Sequence, residues 1–291
     1  MGSVFSCSQY GRLPALMIGK TRQIETEPRG VLVPQFAAGA FRHERLAPCA
    51  DLAGLVEHYW FVAWDMQGHP PQQQETLPHP NVHLVIEHDT DGVYGVHTAR
   101  YTKQLAGQGF AFGIKFRPGG FRPFLGHAVA GIADRRVALA QVFGRAGAEL
   151  VRQVRACAAP AAMAAAAQAF LLARRPPEDA HAGRAAALVA AIASDPAVLT
   201  VEALAGQAGM NKRALQRLFQ QYVGVGPKWV IKRYRMHEAV AQLQAGAAPA
   251  LARLALDLGY YDQAHFVREF TALVGKPPGE YLRQLPLPAA P

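Results

Sequence analysis

The sequence predicts an α+β multidomain chain. An amino-terminal β-barrel-like domain with flanking helices comes first, and an all-α domain with two helix-turn-helix units follows. Three observations predict this. Residues 55–117 are rich in aromatic and β-branched residues broken by turn signals, the texture of short strands. Residues 182–284 keep a helical spacing of apolar positions. Between them the segment RRPPEDAH, residues 174–181, breaks the pattern with two prolines and mixed charge, as a linker does. A length of 291 residues suits two domains. The expected division is a β-rich domain over 1–175 with a helical tail at 137–174, a linker at 174–182, and a helical domain over 183–285.

The elements follow in order. The first 40 residues carry Pro14, Pro28 and Pro34 and read as an irregular arm with one or two short strands. Strands are expected at 56–64 and 82–87. Asp91-Gly92 signals a hairpin with a return strand at 93–97, and further strands are expected at 101–105 and 110–117. Many short strands of this kind make a small barrel or sandwich. Helices are expected at 137–143, 148–157 and 161–174, and from the linker to Arg283 the chain reads as helix.

Within the helical part, TVEALAGQAGMNKRALQRLF at 200–219 carries the clearest chemistry. Thr200 is a good N-cap, and Val201, Leu204, Ala205 and Ala208 share one helix face. Gly209 permits the left-handed turn, Met210 plugs it, and Asn211 caps the next helix. In that helix Ala214, Leu215, Leu218 and Phe219 form the buried stripe. Lys212, Arg213, Gln216 and Arg217 are left outward, the residue types that contact bases and phosphates. A second copy follows: Leu251, Leu254, Ala255 and Leu258, then Gly259, the plug Tyr260, the cap Asp262, and a helix 263–271 with Phe266 and Phe270 inward. A helix over 227–245, opened by Pro227, joins the two. From Asn211 to Arg235 there are seven Lys/Arg and no Asp or Glu, a pattern that suits a phosphate-facing surface.

The segments ALQRLFQQYVGVGPKWVIKRYRMHEAV and GYYDQAHFVREFTALVGKPPGEYLRQ resemble the signature of AraC-family transcription regulators. The most specific part is the spacing of Gly259, Asp262, Phe266, Arg268, Phe270, Gly275, Pro278 and Tyr281. The resemblance implies a seven-helix DNA-binding domain over 183–285, with two recognition helices in successive major grooves on one DNA face. By position the DNA-binding candidates are Lys212, Arg213, Gln216 and Arg217, then Gln263, Ala264, His265, Val267 and Arg268. Ala264 and Val267 are apolar, which makes the second helix the leaner reader or one that contacts thymine methyls. The segment LPHPNVHLVIEH with GVYGV and FGIKFRPGGFRPFLG resembles an uncharacterised amino-terminal domain fused to such heads; a cupin-like barrel for sensing or dimerisation is what the family implies. The implied partners are double-stranded operator DNA, a small-molecule effector, a second copy of the chain and RNA polymerase.

The remaining features bound the reading. A formal charge of +9 and a pI near 9.7 favour a polyanionic partner. Cys7, Cys49 and Cys157 have no ligand-like spacing, and no 18-residue apolar run occurs, so a cytoplasmic protein without membrane attachment is expected. His79 and His83, on one strand, would stand about 13 Å apart, too far to share an ion; no metal and no cofactor are expected. For an effector the candidates are Trp60, Trp64, Arg117 and Arg122, with the arginines facing an anionic group. The same RPGGFRPF segment also reads as a strand end whose Phe121 and Phe124 anchor a loop. An enzyme with a DNA-binding head, for example one accepting alkyl groups on cysteine, lacks a cysteine in a reactive setting, and no GxSxG or P-loop occurs. A ligand-free DNA-binding scaffold is the third alternative.

Overall fold

The computed structural model describes residues 23–24, 30–32, 41–88, 90–246 and 250–285. The strands are β1 (Phe41–Leu46), β2 (Val56–Asp65), β3 (Gln72–Thr76), β4 (His83–Glu87), β5 (Gly92–Tyr94), β6 (Tyr101–Leu105), β7 (Gln108–Phe116) and β8 (Arg136–Val137). Helices α1 (Arg122–Leu125), α2 (Leu139–Phe143), α3 (Arg145–Arg155) and α4 (Pro160–Leu172) complete the first half. Seven more follow: α5 (Ala180–Ser194), α6 (Val201–Gln207), α7 (Lys212–Tyr222), α8 (Pro227–Gln244), α9 (Leu251–Asp257), α10 (Gln263–Val274) and α11 (Pro278–Gln284).

The sheet is antiparallel, in the order β1-β2-β7-β4-β5-β8, and β3 pairs with β6 in a second, two-stranded sheet. Strand alternation sorts the side chains. Tyr59, Phe61, Leu84, Ile86, Phe112, Ile114 and Phe116 point to one face and pack with Leu150, Val154, Met163 and Leu171 of α3 and α4. Trp60, Trp64, His83, Lys115 and Glu87 lie on the other face. Lys103 of β6 reaches over that face to an ion pair with Glu87 and to the Trp64 ring at 5.5 Å. Among the described residues no ladder joins β1 to β8. The expected barrel is therefore two facing sheets, open at the edges.

Two strands differ from expectation. β1 (FRHERL) and β3 (QQQET) carry charges and amides where an apolar alternation would announce a strand. The return strand after Asp91-Gly92 ends at Tyr94, and Val137 belongs to β8, so the helix expected from 137 begins at Leu139. A bulge at Glu57 shifts the β2–β7 register, which lets Glu57 accept from Lys115 at 2.9 Å and from Asn81 at 3.1 Å. Cys7 lies outside the described residues. No helix among them is long and apolar enough to cross a membrane.

The two halves share a broad seam. Val96 sits in the core around α5, α7 and α8, while Leu32 and Leu77 sit in the core around α8, α9, α10 and α11. Arg100 pairs with Glu75 at 3.0 Å and donates to Val274 O at 2.8 Å, and Tyr281 Oη donates to Leu32 O at 2.9 Å. Arg233 of α8 is 1% exposed, donates to Thr98 O and lies 4.4 Å from the Trp229 ring. Burial lowers its pKa to about 10. His79 and His83 go to different places: His79 stacks on His237 of α8 at 3.8 Å, and His83 accepts from Trp60 Nε1 at 3.3 Å.

Burial first, and then the Lys115 charge, hold His58 and His83 down to about 3. The folded protein therefore binds fewer protons than the unfolded chain below the ordinary histidine range. The stability from the neutral rings is full above about pH 6.5 and is lost as pH falls toward 3. The free energy of unfolding should drop by about 2 kcal/mol per histidine by about pH 5. His58→Gln should flatten that drop, and an equal acid sensitivity in the variant would contradict the assignment.

Candidate nucleic-acid interface

Each helix-turn-helix is built from short-range hydrogen bonds that the sequence encodes. In the first, Thr200 Oγ1 accepts from Ala203 N at 3.1 Å and starts α6. Gly209 takes a left-handed φ of +59°, Met210 N donates to Ala205 O at 3.0 Å, and Asn211 Oδ1 accepts from Ala214 N at 2.8 Å to start α7. In the second, Gly259 takes φ +73°, Tyr260 N donates to Ala255 O at 2.9 Å, and Asp262 Oδ1 accepts from His265 N at 2.7 Å to start α10. Gly259 is favoured by its φ; a Cβ there would also stand 2.8 Å from Leu199 Cδ1, a side-chain end that can turn away.

Helix α8 joins the units by serving both cores. Val230 and Ile231 pack with Leu204, Leu215, Leu218 and Phe219. Met236, Ala239, Val240 and Leu243 pack with Leu254, Phe266 and Phe270. One continuous helix therefore fixes the separation of α7 and α10.

Lys212, Arg213, Gln216 and Arg217 of α7 and Gln263, Ala264, His265 and Arg268 of α10 are exposed; Val267 is half-buried and packs against the second core. Lys212 also pairs with Glu202 at 2.5 Å across the turn, an exposed contact of small energy. The basic run from Asn211 to Arg235 is divided rather than laid on one surface. Lys228 is exposed, Lys232 pairs with Glu269 at 3.1 Å, Arg233 is buried at the seam, and Arg235 lies 4.2 Å from the Tyr260 ring. At about 100° per residue only Arg233 is turned away, since Lys228, Lys232 and Arg235 at i, i+4 and i+7 share a side; Lys232 and Arg235 are set apart from Lys228 by their neighbours Glu269 and Tyr260. The i,i+4 spacing on one helix places Glu269 beside His265, and Tyr260, expected as the turn plug, also receives the His265 ring edge-on at 5.3 Å.

The four effector candidates do not meet. Trp60 lies against Gly113 and bonds His83, and Trp64 lies against Gly109 and donates to Ala106 O at 3.2 Å. Arg117 Nε donates to Ala53 O at 2.6 Å, and Arg122 lies 5.8 Å from the Tyr222 ring of α7. Trp64 alone lines a cavity of about 490 Å³, shared with Phe41, Phe61, Phe110, Cys157 and Met163.

Residues 44–138 match a family described as a domain of unknown function, DUF6597, and residues 204–284 match a helix-turn-helix domain. A putative AraC-like transcription regulator of Streptomyces antibioticus is 35% identical over 89 residues, 31% of this chain and 29% of that protein. An uncharacterized HTH-type transcriptional regulator of Haemophilus influenzae is 31% identical over 87 residues, 30% of this chain and 29% of that protein. The carboxy-terminal domain is an AraC-type helix-turn-helix domain. The match thus spans under a third of the length of these curated relatives. A crystal structure of a probable AraC family transcriptional regulator from Rhodopseudomonas palustris CGA009 is 29% identical, covering 34% of this chain and 94% of that one, with a TM-score of 0.30.

The caps give a direct test of the local geometry. Asp262→Ala should lower stability by about 1 kcal/mol in chemical denaturation, and Asp262→Ser should restore most of it. Equal stability of the Ala variant would mean that α10 does not start at this cap.

Proposed function

We propose that this protein is a sequence-specific DNA-binding transcription regulator, with α7 and α10 as its two reading helices. The supporting observation is the pair of equivalent capped helices, each with an exposed polar face, held on the single helix α8. Arg213, Gln216 and Arg217 contact bases from the first helix, with Lys212 beside them. Gln263, Ala264, His265, Val267 and Arg268 do so from the second. Val267, turned partly into the core, offers a methyl surface to thymine rather than a hydrogen bond.

The division into an input domain over 1–175, a linker at 174–182 and a DNA-binding domain over 183–285 belongs to the same reading. The input is a small apolar effector in the cavity beside Trp64, or a second copy of the chain docked on the helices of 137–174. Either input biases how α8 and its two reading helices are held, a shift between DNA-competent and incompetent arrangements. RNA polymerase is the partner through which bound protein would act on transcription.

The test uses a duplex selected by the full chain from a random-sequence pool. Arg217→Ala and Gln263→Ala should each weaken binding to it by about 1–3 kcal/mol and relax preference at one base position. Unchanged affinity and unchanged preference in both variants would remove α7 and α10 as the reading helices.

A further inference from the structure

The two helix-turn-helix units correspond residue for residue as far as the turn plug and then part. In the first, Gly209 and Met210 are followed directly by the cap Asn211, and α7 starts at Lys212. In the second, Gly259 and Tyr260 are followed by one more residue, Tyr261, before the cap Asp262 and the start of α10 at Gln263. Hydrogen bonds fix this alignment. Met210 N donates to Ala205 O at 3.0 Å, and Tyr260 N donates to Ala255 O at 2.9 Å, the same step back along the chain. The first turn closes without an extra residue, so Tyr261 is not required to reverse the chain.

The Tyr261 side chain is 90% exposed and makes no hydrogen bond or ring contact among the described residues. Leu199, Leu256 and Tyr261 are the exposed large apolar side chains among those residues, and all three border this one turn. Leu199 Cδ1 would stand 2.8 Å from a Cβ at Gly259, and Gly259 N donates to Leu256 O at 2.9 Å. Apolar side chains left singly in water need no explanation, whereas three around one turn mark a contact surface.

The neighbouring charges indicate which partner suits it. α7 begins with Lys212 and Arg213, two cations for phosphate. α10 begins with Gln263 and Ala264, and Arg268 comes only in its second turn. The one acid of the turn, Asp262, is directed back to His265 N at 2.7 Å. At this end the second unit therefore meets the sugar–phosphate backbone with neutral donors. A tyrosine hydroxyl is such a donor, and tyrosine is among the side chains that reach phosphate oxygens in DNA interfaces. A place one residue before the cap of a reading helix sets Tyr261 at the edge of the groove that α10 enters, which favours DNA over a protein surface.

We propose that Tyr261 is a DNA-backbone contact of the second unit: its hydroxyl donates to a phosphate oxygen flanking the base pairs faced by α10, and its ring packs on the sugar beside it. The inference rests on the reading of α10 as a DNA-contacting helix. The contact carries no sequence information, since every nucleotide presents the same phosphate and sugar. It also brings no charge, so it adds affinity without displacing the counterion that a Lys or Arg contact displaces.

The experiment measures binding of the full chain, over a series of salt concentrations, to the duplex that the wild type selects. Tyr261→Phe should bind about tenfold more weakly at every salt concentration, the worth of one hydrogen bond to a charged acceptor. Tyr261→Ala should bind more weakly still. Both variants should keep the wild-type salt slope and base preference, and both should keep the wild-type unfolding temperature, since the side chain is exposed. Lys212→Gln, by contrast, should reduce the salt slope by about 0.9. Replacing single phosphates by neutral methylphosphonates should reveal one position, flanking the second half of the site, that costs the wild type affinity and costs Tyr261→Phe none. Wild-type affinity in both Tyr261 variants would overturn the contact while leaving DNA binding intact, and this holds also if the bound variants lose effect on transcription, which would turn the patch toward a protein. A changed preference at one base pair in Tyr261→Phe would make the residue a base reader and overturn the backbone assignment. Absence of any selected duplex for the wild type would overturn the DNA-binding reading and this inference with it.

Discussion

The packing of α8 is the constraint on which the rest of the structure depends. Its first half completes the core of one helix-turn-helix and its second half completes the other. A third side of the helix carries Arg233 and His237 into the seam with the amino-terminal sheets. A helix buried on so many sides cannot keep a simple apolar stripe, and α8 does not. Three of its four cations are spent on different neighbours: a carbonyl of the loop at Thr98, the Glu269 carboxylate and the Tyr260 ring. The seam thus touches the same element on which both α7 and α10 pack.

This division of charge qualifies what a net charge of +9 says about the partner. Within the run from Asn211 to Arg235, the cations left in water are those of α7 and Lys228 at the start of α8, whereas Arg233 gives up solvent for one carbonyl and the face of Trp229. A buried guanidinium is expensive, and its lowered pKa reflects that cost, which the Asp134 carboxylate offsets only in part. Its position between the domains makes the seam sensitive to any displacement of the loop at Thr98.

The parts of the fold that were legible in the sequence are those whose determinants are local. Gly209 with Asn211 and Gly259 with Asp262 lie within a few residues of the bonds they make, so turn and cap followed from spacing alone. β2, β4 and β7 were legible from their aromatic and β-branched texture, whereas β1 and β3 were not, since their charges and amides are accommodated by long-range pairing. The seam was invisible for the same reason: nothing near Val96, Leu32 or Leu77 marks them as members of a helical core. The effector candidates illustrate the limit from the other direction. Aromatic and basic residues that look alike in the sequence are scattered by strand alternation and by loop carbonyls that claim the arginines. The candidate DNA site was legible as a list of surface positions; the ion pair of Glu269 with Lys232 required the packing of α10 on α8.

The central claim is that one rigid helix presents two reading helices to a single face of DNA. Hydroxyl-radical footprinting of the full chain on a duplex it selects tests this most directly. The account predicts two protected stretches on the same face, centred about one helical turn, roughly 10 base pairs, apart. A single protected stretch, or protection that does not depend on sequence, would contradict it.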